Sequence, residues 1–277
     1  MEKMFILEIQ AAYNQLTKAE KKVADYVINN QQKVLYMSIT DLADACQVGD
    51  TSVYRFCRTM NLQGYQEFKM RLSLSQGAAE RGKTDKDTPQ NMAETVMNLN
   101  VSAIRETYAL LNMEEITSVL EIFERARKVY FFGIGDSLLT AQEACNKFLR
   151  ITNKVTCVTD SHMQAMSAST STPEDLFIIV SYSGATKDNI LVAKLAKQAG
   201  AKVVCISHFR KSPLTAYSDV ILLCGGDENP LEGGSMVGKM GQLYLMDLLY
   251  QEYYSRNYAE CRVNNEKTSS AVLDKLF

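Results

Sequence analysis

From about residue 128 onward, short apolar runs alternate with stretches whose apolar residues recur every three to four positions. The runs at 129–134, 155–159, 176–181, 202–207 and 220–224 are rich in Val, Ile, Leu and Phe, as strands buried on both faces should be. Between them, 137–151, about 161–170 and 186–199 carry a helical period, and 235–256 follows the last run. Only a short turn or helical piece fits 208–219. This alternation predicts a doubly wound α/β domain: a five-stranded parallel sheet with helices on both faces. A long helical stretch leads into it from about residue 90.

Residues 1–75 read differently, as short helices with no buried strand among them. Thr17-Lys18-Ala19-Glu20 is a capping box ahead of KKVADYVINN, which places Val23, Tyr26 and Val27 on one face. Ser38 caps SITDLADACQV, with Asp41 in the first turn where the helix dipole favours an acid. A tight polar link at 47–50 separates this helix from TSVYRFCRTM, and GYQEFKMRLSLS continues helical. Residues 76–89, QGAAERGKTDKDTP, are nearly devoid of apolar side chains and end in Pro89. The expected organisation is an all-α domain at 1–76, a linker at 77–89 and the α/β domain at 90–277.

Residues 38–57 have the layout of a helix-turn-helix. Small Ala43 permits a close crossing, while Val48, Val53 and Phe56 bury against the first helix. The second helix then exposes Thr51, Ser52, Tyr54 and Arg55 near its start, followed by Arg58. Arg55 suits bidentate pairing with guanine, and Thr51 or Ser52 can reach a base or a phosphate. Between Arg55 and Arg71 stand four basic residues, Arg55, Arg58, Lys69 and Arg71, and the single acid Glu67. A helical dimerisation module with a solvated charged face shares this spacing. One copy has little electrostatic purchase on DNA, so affinity would come from paired copies and fall steeply with salt.

Two strands empty into glycine and hydroxyl residues at a helix start. In KVYFFGIGDS, Gly133 and Gly135 make the turn and Ser137 opens the helix; in DLFIIVSYSGAT, Ser181, Ser183, Gly184 and Thr186 follow the strand. Backbone N–H groups and hydroxyls converging at the positive end of a helix form an anion seat. Two such seats on one sheet suggest a phosphorylated small molecule at the carboxyl ends of the strands. Lys187 reinforces the second seat, and Asp136 in the first is expected to turn away or to meet hydroxyls.

Composition narrows the alternatives. A net charge of −2 exerts no global pull on nucleic acid or membrane, so a DNA contact must be local. No apolar run approaches the roughly 20 residues of a membrane span, and no signal-peptide pattern opens the chain. The seven cysteines are odd in number and contain no C-x-x-C pair, which fits reduced thiols in the cytoplasm. With His162 and His208 the only histidines, neither a metal site nor another cofactor is expected. Phosphosugar isomerisation would need a proton shuttle, for which His162 and Glu232 are the candidates.

The segments LTKAEKKVADYVINN and MSITDLADACQVGDTSVYRFCRTMNLQGYQEFKMRL resemble the N-terminal domain of RpiR-type bacterial transcriptional regulators. GIGDS (133–137) and SYSGAT (181–186) resemble the phosphosugar loops of the SIS (sugar isomerase) fold, which that family joins to this helix-turn-helix. Gly49 stands where the family has a Ser or Thr cap, and Tyr54 where relatives carry a smaller residue. The resemblance implies a flavodoxin-like strand order and a cytoplasmic, non-enzymatic regulator that binds operator DNA and a sugar phosphate. Ser137, Ser181, Ser183 and Thr186 would then grip the phosphate or nearby hydroxyls, with Gly135 and Gly184 allowing close backbone approach. The expected assembly is a homodimer or homotetramer. The helical ends at 90–125 and 235–277 would supply much of the interface, since Leu243, Leu245, Met246, Leu248 and Leu249 make that last helix apolar on more than one face.

Overall fold

The computed structural model describes residues 4–76, 89–226 and 236–273. They divide into two compact units, and the division lies inside one helix, between Leu99 and Asn100. Of the expected linker, residues 77–88 lie outside the described residues. Pro89 opens a helix, a position that suits a residue with fixed φ and no N–H.

The first unit is helical: α1 (Met4–Ala12), α2 (Lys18–Asn29), α3 (Gln31–Leu35), α4 (Ile39–Ala45), α5 (Asp50–Thr59), α6 (Tyr65–Gln76) and the start of α7 (Pro89–Ala109). Both expected capping boxes form. Thr17 exchanges bonds with Glu20 at the head of α2, and Ser38 with Asp41 at the head of α4. Phe56 and Phe68, both fully buried, anchor the core edge to face at 5.9 Å, with Val23, Val27, Leu42, Val53 and Leu72 around them.

The second unit continues with α8 (Met113–Arg125), β1 (Lys128–Phe132), α9 (Asp136–Leu149), β2 (Val155–Cys157), α10 (Ser161–Ser169), β3 (Asp175–Val180), α11 (Lys187–Gln198), β4 (Lys202–Ser207), β5 (Val220–Leu223), α12 (Met236–Arg256) and α13 (Tyr258–Ser270). The strands form one parallel sheet in the order β2-β1-β3-β4-β5. Leu176, Ile178 and Val180 of β3 face a core shared with α8, α9 and α12, while Phe177 and Ile179 face the core shared with α11. Covering on both faces explains why the strands read as unbroken apolar runs. The piece between β4 and β5 is a 3₁₀ turn at Thr215–Tyr217.

Two long helical stretches are cut. Asn112 caps α8 by accepting from the Glu114 N–H, with Glu114 and Glu115 in the first turn, so the stretch from residue 90 becomes α7 and α8. The chain breaks again at Asn257, between α12 and α13. Leu245, Met246 and Leu249 of α12 are buried in the chain's own core, and Leu243 and Leu248 are half-buried. Much of the apolar surface on this helix is therefore used within the chain. Among the described residues no helix is long and apolar enough to cross a membrane.

Candidate functional site

Helices α4 and α5 form the expected pair. Ala43 is buried at the crossing, Val53 and Phe56 are fully buried, and Val48 packs against the same core. The turn between them is a Schellman motif: the Val48 N–H donates to the Ala43 carbonyl at 2.9 Å and the Gln47 N–H to the Asp44 carbonyl at 3.0 Å. Gln47 holds the left-handed position, at φ 54°, where glycine is usual. Gly49 caps α5 without a side chain. Asp50 does not replace it; its carboxylate accepts from the Thr40 hydroxyl at 2.8 Å and clasps the two helices.

The exposed face of α5 carries Thr51, Tyr54, Arg55 and Arg58, with Ser52 half-buried. Arg58 donates to the Leu62 carbonyl at 3.3 Å, which steadies its guanidinium. Glu20 accepts from Thr17 and from the Thr59 hydroxyl, the latter at 2.7 Å. Burial pushes the Glu20 pKa up, but these bonds and the charge of Arg55 hold it below the ordinary carboxylate value. Two of the four basic residues counted in this stretch are otherwise engaged. Lys69 is buried, donating to the Met37 carbonyl at 3.4 Å, and Arg71 pairs with Glu8 at 2.7 Å. Arg55 and Arg58 remain as its exposed cations.

In the second unit, Phe132 of β1 is in register with Ile179 of β3, so the loops that follow leave from adjacent strand tips. Gly135 sits at φ 61° and ψ −132° at the head of α9, a region only glycine enters freely, and a Cβ there would meet nothing within 4 Å. Gly184 sits at φ 60° and is also crowded, since a Cβ there would overlap the Ser212 hydroxyl. Neither α9 nor α11 has a side-chain cap, although Thr186 stands at the cap position of α11. Helices α8 and α10 of the same unit are capped by Asn112 and Asp160. The Ser183 hydroxyl accepts from the Ala185 N–H at 3.3 Å, and Ser137 lies half-buried in the first turn of α9.

Ser181 Oγ is buried with no hydrogen-bond partner, as are Gln164 Oε1 and Asn189 Oδ1. Gln164 donates to the carbonyls of Gly133 at 3.2 Å and Val158 at 2.7 Å, and Asn189 donates to that of Val180 at 3.5 Å. These three unpaired atoms thus belong to residues at or bonded to the ends of β1, β2 and β3, while a fourth, Asn265 Oδ1, lies on α13. Sequence reasoning picked out Ser181 but missed Gln164 and Asn189, which read there as ordinary helix residues. Lys239 was missed as well: from α12 it pairs with Asp136 at 3.1 Å and neutralises the acid at the head of α9. Lys187 opens α11 on the surface.

The end of β4 and the segment after it brace the second loop. The Ser207 hydroxyl donates to the Tyr182 carbonyl at 3.0 Å, and the Leu214 N–H donates to the Gly184 carbonyl at 2.9 Å. The Tyr182 ring stacks on His208, with centroids 4.9 Å apart. Of the two proton-shuttle candidates, His162 is exposed at the start of α10 and Glu232 lies outside the described residues. Among the described residues no His, Cys, Asp and Glu cluster could hold a metal ion.

Comparisons with known proteins bear on both units. The model of a helix-turn-helix domain, rpiR family, matches residues 4–78, and that of the SIS domain matches residues 122–251. An uncharacterised HTH-type transcriptional regulator of Haemophilus influenzae is 31% identical over 276 residues, covering 97% of this chain and 96% of its own length. The HTH-type transcriptional regulator HexR of Pseudomonas aeruginosa is 33% identical over 251 residues, covering 89% of this chain and 88% of its own. Among solved structures, the Vibrio vulnificus NanR protein complexed with ManNAc-6P superposes with a TM-score of 0.86 at 28% identity, covering 99% of this chain and all of that one.

Proposed function

Because the chain belongs to the HTH-type transcriptional regulators that join an rpiR-family helix-turn-helix to a SIS domain, we propose that it senses a sugar phosphate and adjusts its hold on operator DNA accordingly. The observation that carries the sensing half is the pair of uncapped helix starts, α9 and α11, behind glycine turns at adjacent strand tips. Helix starts without a side-chain cap, with the positive end of the dipole behind them, suit a dianionic phosphate. In this reading Ser137, Ser183 and Thr186, with the buried Ser181, supply hydroxyls to the ligand. NanR, bound to ManNAc-6P, supports a phosphosugar as the ligand class.

The DNA half rests on α5, whose exposed Thr51, Tyr54, Arg55 and Arg58, with Ser52, form the reading face. Two copies acting together would place two such helices on a paired operator from a cytoplasmic homo-oligomer. Exposed Met92, Val96, Met97, Val101 and Tyr108 on α7 offer apolar surface for that association. The SIS unit binds without turnover in this reading.

The experiment selects an operator from random duplexes, then follows binding by fluorescence anisotropy against a panel of aldose and ketose phosphates, with a parallel isomerisation assay. One sugar phosphate should change operator affinity by about 5–150-fold. Arg55→Ala should cost about 1–3 kcal/mol of specific binding with the fold intact. Turnover abolished by His162→Ala, together with an operator affinity that no sugar phosphate alters, would replace this reading with an isomerase.

A further inference from the structure

Helix α7 and the loop that follows β3 are joined by one chain of short hydrogen bonds inside the second unit. The Tyr182 hydroxyl, in the loop, donates to the Gly226 carbonyl at 2.8 Å. On the other side of the same residue, the Gly226 N–H donates to Glu106 Oε2 of α7 at 2.8 Å. The neighbouring Gly225 N–H donates to the Thr107 hydroxyl at 2.9 Å, and that hydroxyl donates onward to the Ala103 carbonyl at 2.7 Å. Ser102 holds the second oxygen of Glu106 at 2.8 Å.

Packing makes this connection stiff. A Cβ on Gly225 would lie 2.8 Å from the Thr107 nitrogen, and one on Gly226, at φ 91°, would lie 2.9 Å from the Ala103 Cβ. Gly241 of α12 closes the far side, where a Cβ would lie 2.6 Å from the Thr107 hydroxyl. The two backbones therefore approach as closely as glycine allows, and neither slides without breaking bonds. Tyr182 is clamped too, by its stack on His208, whose Nδ1 lies 3.0 Å from the Cys224 carbonyl.

We infer that Tyr182 is a positioning residue that couples the SYSGAT loop to α7 through Gly225 and Gly226. The inference rests on the sensing reading above and names its transmission element. Tyr182 sits between Ser181 and Ser183, so an anion drawn into the loop shifts its backbone, and the phenol carries the shift to Gly226 and on to Glu106. Glu106 and Thr107 lie in the part of α7 that belongs to the second unit, and residues 89–99 of the same helix belong to the first.

Tyr182→Phe in the full chain tests this, because it keeps the ring on His208 and removes only the hydroxyl. Two measurements separate the coupling from the sensing reading. Without ligand, hydrogen exchange at the Gly225–Gly226 amides should quicken at least about fivefold, with a smaller rise over 103–109. With ManNAc-6P as probe, calorimetric affinity should stay within about threefold of wild type, while the probe's effect on operator affinity drops from about 5–150-fold to below about twofold. Glu106→Ala, acting from the other end, should reproduce the loss. If Tyr182→Phe keeps the full operator response, the coupling is overturned and sensing stands. If the wild type ignores ManNAc-6P and the rest of the panel, sensing falls and the exchange data decide alone. Unchanged exchange at Gly225 and Gly226 then overturns the coupling as well.

Discussion

Replacing Gly184 with alanine should destabilise the second unit by about 2–5 kcal/mol, for two separable reasons. The first is conformational: φ is 60°, and a residue with a Cβ in the left-handed region costs about 1–2 kcal/mol. The second is steric. The new Cβ would overlap the Ser212 hydroxyl and sit 2.6 Å from the Ser212 Cβ, so rotating the serine cannot clear it. Forcing a methyl into a filled site of this kind costs about 1–3 kcal/mol. The loop cannot drift away cheaply either, because the Leu214 N–H holds the Gly184 carbonyl at 2.9 Å. Ser212→Gly removes both obstructing atoms. Alone it costs about 1–2 kcal/mol, through weak bonds to Thr215 and the added chain entropy of glycine. The double variant should be about 1–3 kcal/mol more stable than the sum of the single losses, with the conformational part of the Gly184→Ala penalty left over. Urea denaturation followed by circular dichroism measures the cycle, and exchange of the Leu214 amide reports the same contact locally. Losses that add to within about 0.5 kcal/mol would refute the steric account.

Three further outcomes concern the first unit. Gln47→Gly should stabilise it by about 0.5–1 kcal/mol in thermal unfolding, since Gln47 occupies the left-handed Schellman position at φ 54°; a loss of stability would contradict that geometry. Phe56→Ala should cost about 3–5 kcal/mol by the same measurement, because the ring is fully buried against Phe68 and leaves a cavity. Glu20 has a folded pKa below the ordinary carboxylate value, so its contribution is fully present above that ordinary value and is lost as pH falls through the folded pKa. Glu20→Gln should therefore destabilise the unit by about 1–2 kcal/mol near neutrality, with the gap to wild type closing below about pH 4. A gap that widens on acidification would reverse the sign of the argument.

Periodicity alone outlined much of this protein. Strands covered on both faces must be apolar at every position, so β3 and β4 stand out from helices whose apolar residues recur every three or four. Capping is local chemistry as well, and the boxes at Thr17 and Ser38 involve partners three residues apart. The glycine and hydroxyl turns after β1 and β3 were legible for the same reason, because a helix start is written in consecutive residues. The cut at Asn112 was also written locally, yet the uninterrupted apolar period on either side of it concealed the break.

Contacts between distant residues were decided by tertiary structure, since a side chain's partners depend on which elements the fold brings beside it. Lys69 and Arg71 look like free cations along the chain, but packing buries the first against Met37 and pairs the second with Glu8, 63 positions away. Lys239 meets Asp136 across 103 positions, and Gly226 meets Glu106 across 120. Short-range hydrogen bonding and burial periodicity are encoded where they occur, so they can be read residue by residue. Charge pairing, close glycine contacts and the link from Tyr182 to α7 exist only once sheet and helices have set those backbones side by side.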